Sequence, residues 1–378
     1  MSGLYLHIPF CKQACSYCDF YFVTRQEYKQ DFVDKLIREI HSKENTRFTT
    51  EPIQTIYFGG GTPSLLTPSQ VESILDAIHD VFTVDTVEIT LEMNPDDVTK
   101  DLLSGLKSAG VNRASMGVQT FNPELLNFMH RAHTSDEALR CLELLKASDF
   151  DVFTVDLIYG NPGQSLESLE QDINTILEFD PPHISAYSLT VEPQTRLGKQ
   201  VELGRIAPPQ DDTVARHFDL VVEKLGNAGI QQYEVSNYAK PGKEAIHNSN
   251  YWEHVNYLGL GPGAHSFWWD EDERSAHRWS NESNLKKFLS GNWNNPFEEE
   301  HLDMDALAEE RLMLGLRTRA GISQKDLKSR YQFTFNPKQE QYLQNLEKQG
   351  KAILSERIQL TTAGLKIADA ILLDLVTM

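Results

Sequence analysis

Three of the four cysteines, Cys11, Cys15 and Cys18, fall within eight residues at a Cys-x3-Cys-x2-Cys spacing. Thiolates are soft ligands, and three on one stretch of chain point to a metal centre. Three readings are open. Plain packing accounts poorly for three unpaired thiols this close together. A structural zinc ion needs a fourth ligand such as His7 and usually uses paired Cys-x2-Cys units. An iron–sulfur cluster is the third reading. Three cysteines on a four-iron cube leave one iron without a protein ligand, and a small molecule can chelate that open iron. Cys141 stands apart, in a helical pattern over Glu137–Ala147, where a lone cysteine is ordinarily a small hydrophobe.

These thiols need a scaffold, and the pattern around them supplies one. Strand patterns are predicted over Leu4–Ile8, Thr55–Phe58, Val87–Met93, Arg113–Val118, Val152–Ile158 and Ile184–Val191. Between them run helical periodicities over Glu27–His41, Pro68–Phe82, Lys100–Ala109, Asp136–Ala147 and Leu166–Phe179. This alternation implies an α/β fold with a parallel sheet and helices outside, closing as a full or partial (β/α) barrel. The site then lies where strands end, and the cysteines sit on the loop after the first strand.

Polar and glycine residues gather at those strand ends. The second strand runs into Gly59-Gly60-Gly61-Thr62-Pro63, where a bare backbone can approach a ligand closely. Glu92 and Asn94 end the third strand, Gln119 the fourth, with Arg131 a dozen residues on; the fifth carries Asp156. Singly, each is explained as a hydrogen-bonded strand end. Together they suit a zwitterionic amino acid joined to a ribose. Arg131 can take the carboxylate as a bidentate pair, Gln119 and Asp156 can accept ribose hydroxyls, and Glu92 can meet an ammonium or sulfonium charge.

The cysteine spacing, with Tyr17 before the last cysteine, resembles the signature of radical S-adenosylmethionine (SAM) proteins. The resemblance sharpens with Tyr5, His7-Ile8-Pro9-Phe10, Gly59–Pro63, Glu92-x-Asn94-Pro95, Gly117-Val118-Gln119 and Asp156-Leu157-x-Tyr159-Gly160. In that order, over residues 3 to about 270, the chain is similar to the oxygen-independent coproporphyrinogen III oxidases and their relatives. The resemblance implies a partial barrel of the radical SAM type and a [4Fe–4S] cluster on Cys11, Cys15 and Cys18. It also implies SAM chelating the open iron, in a site lined by Tyr5, Tyr17, Gly60, Gly61, Thr62, Glu92, Gln119, Arg131 and Asp156.

That family has at least two branches. The oxidase branch carries a fourth cysteine two residues after the third, where this chain has Phe20, and an extension before the first strand, which begins here at residue 3 or 4. Both departures count against porphyrinogen decarboxylation, the alternative reading. Further on, His247-Asn248-x-x-Tyr251-Trp252 fits an H-N-x-x-Y-W motif and resembles the haem-chaperone branch. This implies haem as a ligand and haem-acceptor proteins as partners. His247 is then an iron-ligand candidate, with His133, His254 and His265 as rivals, and Tyr251 and Trp252 offer flat walls for a macrocycle. Read without the resemblance, the same segment is a turn: Asn248 caps it and the aromatics anchor it.

Three segments are expected: a barrel over 1–205, an extension over 206–297 and a winged-helix-like module over 298–378. The extension starts with a helix over Pro208–Ala228 and a strand over Gln232–Val235. The last segment has helices over Leu302–Gly315, Gln324–Tyr331 and Pro337–Gly350, a hairpin over 352–362, and a helix over Ala363–Val376. Gly291–Pro296 and the acidic run Glu298–Glu300 read as the linker. The 55 acidic against 35 basic residues give a net charge of −20, a field that repels phosphate backbones and anionic lipid, so no nucleic-acid partner is expected. No apolar run is long enough for a membrane span, no secretory signal is recognised, and the sparse cysteines suit a reducing cytoplasm.

Overall fold

The computed structural model describes residues 2–291, 293 and 296–378. Six parallel strands lie side by side in chain order: β1 (Ser2–Ile8), β2 (Ile53–Gly60), β3 (Val84–Met93), β4 (Arg113–Gln119), β5 (Val152–Tyr159) and β6 (His183–Ser188). Helices cross between them on the outside, and their apolar stripes meet the convex face of the sheet. In the helix Lys29–His41 that stripe is Phe32, Val33, Leu36 and Ile40. Two crossing helices begin with reciprocal capping boxes, Thr67 with Gln70 and Thr134 with Glu137, each cap contributing about 1 kcal/mol.

Strand alternation sets what faces inward. On β1, Leu4, Leu6 and Ile8 are fully buried in the main core. The alternate residues Gly3, Tyr5 and His7 turn to the concave side. The barrel is partial, as expected. Beyond β6, two short antiparallel strands β7 (Gln231–Gln232) and β8 (Asn237–Ala239) extend one edge, β8 lying next to β6. On the other side β1 pairs with β9 (Asn256–Leu260), which is parallel to it. The sheet then runs antiparallel through β10 (His265–Trp269), β11 (Ala276–Ser280) and β12 (Glu298–Leu302).

Several elements depart from expectation in this extension. The β10–β11 hairpin falls where no element is predicted. Residues 232–235, expected as one strand, end β7 and turn, with Glu234 bridged to Thr318. The acidic run Glu298–Glu300, expected as linker, is part of β12. Its charges are answered across the ladder: Arg278 donates to Glu300 at 2.7 Å, and His277 Nδ1 lies 3.2 Å from Glu299. Those partners are remote in sequence, so the run looks solvated when read alone. Of the remaining expected linker, Asn292, Asn294 and Asn295 lie outside the described residues.

The C-terminal segment carries β13 (Ile322–Ser323), β14 (Ala352–Leu354) and β15 (Arg357–Leu360) in the antiparallel order β13–β15–β14. Its first helix starts at Met304 because Leu302 still belongs to β12, and Asp303 caps it. The expected final helix is two, Thr362–Leu365 and Ala368–Thr377. One apolar cluster runs from the barrel into this segment, and the helix Met304–Gly315 reaches the concave side of the sheet.

Candidate cofactor site

The loop after β1 is closed by a bridge between Phe10 and Val23, with Cys11 N–H donating to Val23 O at 3.0 Å. Its middle is tied to the segment after β4. Ser16 N–H donates to Met129 O at 3.0 Å and Ser16 Oγ to Phe128 O at 3.1 Å. Cys11, Cys15 and Cys18 are half-buried and unpaired by disulfide, while Cys141 is buried against Met116. Burial pushes the Cys11 thiol up to about 11 and that of Cys18 up to about 12. Bare thiolates are therefore disfavoured here, and a metal that replaces the proton relieves the cost. Thr62 Oγ1 donates to Cys11 Sγ at 3.6 Å, and Arg131 Nη1 to Cys15 Sγ at 3.5 Å.

Beside this loop, inside the strand ends, lies a cavity of about 490 Å³. Tyr17, Cys18, Gly60, Gly61, Thr62, Glu92, Gln119, Arg131 and Asp156 all line it. The third cluster cysteine and eight of the nine residues expected at SAM thus share one hollow. Arg131 is held by Asn94 Oδ1 at 2.7 Å and Gly117 O at 2.8 Å. Glu92 accepts from Tyr57 OH at 2.7 Å and Gly60 N–H at 3.2 Å, and burial raises it to about 7. Asp156, facing Ser115, is raised to about 6 for the same reason.

The residues present fit a cluster and an amino-acid-like ligand. The donor set is three soft thiols. Gln119 Oε1 and Arg131 Nε are buried without a partner among the described residues, which leaves polar groups for a ligand to satisfy. The glycines make room where side chains would not fit. Gly60 has φ +105° and a Cβ there would lie 2.5 Å from the His7 ring; one on Gly61 would lie 2.7 Å from Phe10 O.

A second cavity, of about 640 Å³, adjoins the first and shares Tyr57, Gly60, Glu92 and Phe20 with it. Tyr5 lies here, not in the first cavity, its hydroxyl 3.2 Å from His7 Nδ1. Aromatic and imidazole rings dominate the lining: Tyr251, Tyr257, Phe267, His7, His247 and His265. Phe20 is 62% exposed at the boundary of the two cavities.

His247 sits on the helix Ile246–Trp252, held by Glu88, whose carboxylate accepts both Ile246 N–H and His247 N–H at 2.9 Å. Its ring is buried and stacked on Tyr57. Nδ1 lies 2.8 Å from Thr55 Oγ1 and Nε2 2.8 Å from Tyr251 OH. Burial lowers it to about 3, so it is neutral, but both nitrogens are already engaged. Trp252, expected as a second flat wall, instead borders a separate hollow with Tyr233 and Arg319. Of the rivals, His254 is buried against Tyr331 OH and His133 against Val118 O. His265 alone of these four is exposed, and its side chain makes no hydrogen bond to the described residues.

Sequence reasoning passed over Tyr57, Ser115 and Glu88. Their signal was period-two alternation: Thr55, Tyr57 and Gly59 share a face of β2, and that face carries the site.

The model of the Radical SAM superfamily matches residues 5–176, and that of the HemN C-terminal domain matches 302–367. The structure overlays the coproporphyrinogen III oxidase HemN of Escherichia coli, a radical SAM enzyme, with a TM-score of 0.82. That overlay covers all of this chain and 90% of the other at 23% identity, a likeness of fold. A thiol triad on the first loop of a partial barrel is thus the framework of a radical SAM protein. Within that class, the chain is 37% identical to the heme chaperone HemW of Bacillus subtilis over 88% of its own length and 87% of that protein's. It is 33% identical to the heme chaperone HemW of Lactococcus lactis over 97% and 95%. The chain belongs to the HemW family.

Proposed function

We propose that this protein is a haem chaperone. It holds a [4Fe–4S] cluster on Cys11, Cys15 and Cys18, SAM in the first cavity and haem in the second, and passes haem to acceptor proteins. The observation that carries this reading is the aromatic cavity built directly against the cofactor cavity. Its volume lies in the range of ligand-binding hollows, and Phe20, where the oxidase branch has a fourth cysteine, is an exposed apolar side chain at its edge. Family membership supports it.

The cluster supplies an iron open to SAM's amino and carboxylate groups. This chain's own residues do the positioning. Arg131, aimed by Asn94 and Gly117 O, meets the ligand's carboxylate. Glu92 meets its positive charge once ionised, and Gln119 and Asp156 take ribose hydroxyls. In the second cavity Tyr257 and Phe267 offer flat apolar surface. His265 offers a free imidazole to the haem iron, while His247 braces Thr55 and Tyr251 behind it.

Haem titration of the cluster-loaded protein tests this. Wild type is expected to bind haem with a Soret band whose position His265→Ala shifts. His247→Ala should keep the band and lose affinity. Uptake no better than that of an unrelated acidic protein would end the proposal. Conversion of coproporphyrinogen III by the same preparation would select the oxidase reading instead.

A further inference from the structure

At the far end of the β10–β11–β12 extension, Asp270, His277 and His301 bring three donor atoms within 4.8 Å of one another. Asp270 follows β10, and His277 and His301 are directly opposed on β11 and β12. Bonds of 2.0–2.2 Å to a tetrahedral ion separate its donor atoms by about 3.3–3.6 Å. His277 Nε2 lies 3.4 Å from Asp270 Oδ1, and His301 Nε2 lies 3.9 Å from Asp270 Oδ2. The surroundings also fit. Glu299 lies 3.2 Å from His277 Nδ1, placed to accept a proton from that nitrogen and so leave Nε2 to an ion. Ser275 Oγ donates to Asp270 Oδ2 at 2.6 Å, which steadies the carboxylate.

We propose that Asp270, His277 and His301 form a binding site for a zinc-class divalent cation. Two imidazoles and one carboxylate suit such ions better than magnesium or calcium, which prefer all-oxygen sets. The remaining positions fall to water. One group opposes the ion: Arg47 Nη1 is 3.4 Å from Asp270 Oδ1. Its guanidinium also lies over the rings of Phe48 and Trp279 at 5.4 and 5.9 Å, so it has a resting place when the ion takes Asp270. The ion pins the edge strand β12 to its neighbours. Because β12 runs through Asp303 into the helix that carries Glu310 and Leu314 into the second cavity, the pin also steadies one wall of that cavity.

The test is equilibrium dialysis of Zn²⁺ against the cluster-loaded protein, anaerobically, so that the loop thiols are already occupied. Wild type is expected to take up one equivalent beyond the cluster and to melt at a higher temperature with it. His301→Ala, at an exposed position, and His277→Ala should lose that equivalent while keeping their iron. Glu299→Gln should weaken uptake roughly ten- to a hundred-fold, and Arg47→Ala should strengthen it. Equal zinc uptake by wild type and His301→Ala, or none by wild type, overturns the site.

Discussion

The two cavities share a wall, yet they are built by different rules. The first takes its lining mostly from consecutive strands, β2 to β6, and from the segments after β1, β4 and β6, with Ala245 and Asn248 joining from the extension. Its charged groups are held by near neighbours: Arg131 by Asn94 and Gly117, Glu92 by Tyr57 and Gly60. The second gathers β1, the helix Ile246–Trp252, β10 and the helix Met304–Gly315, so its walls come from both ends of the chain. Its rings are held by stacking and by packing between remote segments. A site made from the repeated strand–helix unit inherits its geometry from that unit. A site made by an extension folding back is defined only once the extension has docked.

The sharpest break between the two comes from the thiols. Cys11→Ala, Cys15→Ala or Cys18→Ala should each abolish the cluster, whereas Cys141→Ala, whose thiol packs on Met116, should keep it. Iron counting after anaerobic reconstitution decides; a cluster that survives Cys18→Ala but not Cys141→Ala would sink the assignment. Next in size, Arg131→Ala should cost SAM about 1.5–3 kcal/mol, or roughly ten- to a hundred-fold in affinity, and leave haem uptake unchanged. Calorimetry with each ligand reads this, and equal losses for both would mean the cavities are not separable.

Gly60 belongs to both cavities, so Gly60→Ala should harm both ligands. Its φ of +105° and the close His7 ring make the substitution cost on the order of 1–3 kcal/mol, visible as a lowered melting temperature and weaker binding of SAM and haem alike.

The smallest effect is in pH. Burial raises Glu92 to about 7, so it must ionise before meeting a cationic ligand. SAM affinity should rise as pH climbs from 6 to 8, and Glu92→Gln should flatten the profile. Stability of the ligand-free protein runs the other way. The folded state keeps this proton between about pH 4.5 and 7 after the unfolded chain has released it, so stability falls as pH rises through that window. Glu39 and Glu234, also raised to about 7 by burial, add in the same direction. Buried imidazoles such as His247 pull the opposite way below about pH 6.5, so the difference is the test: the melting temperature of wild type relative to Glu92→Gln should fall from pH 5 to pH 7, and a difference that rises would count against the buried carboxylate.

Much of the first site was legible in the residues. Strand alternation and helical periodicity are local, so the βα order, the loop bearing Cys11, Cys15 and Cys18, and the strand ends at Gly60, Glu92, Gln119 and Asp156 could be read in place. The second site was not. Tyr5 lies on the strand that leads into the thiol loop, yet its ring packs with His7 and Tyr57 and its side chain lines the second cavity. His247 and Trp252 share one short helix but face different hollows, because Glu88, Thr55 and Arg311 hold that helix from three separate parts of the chain. Glu298–Glu300 read alone as a solvated run, yet they form a strand on β11, which brings Arg278 to Glu300 and His277 to Glu299. The sequence by itself determined the elements and the chemistry of the thiol loop, since both rest on spacings of a few residues. Only the tertiary structure decided which imidazole stays free and which is spent on packing, because that depends on contacts between segments some two hundred residues apart, as between Thr55 and His247.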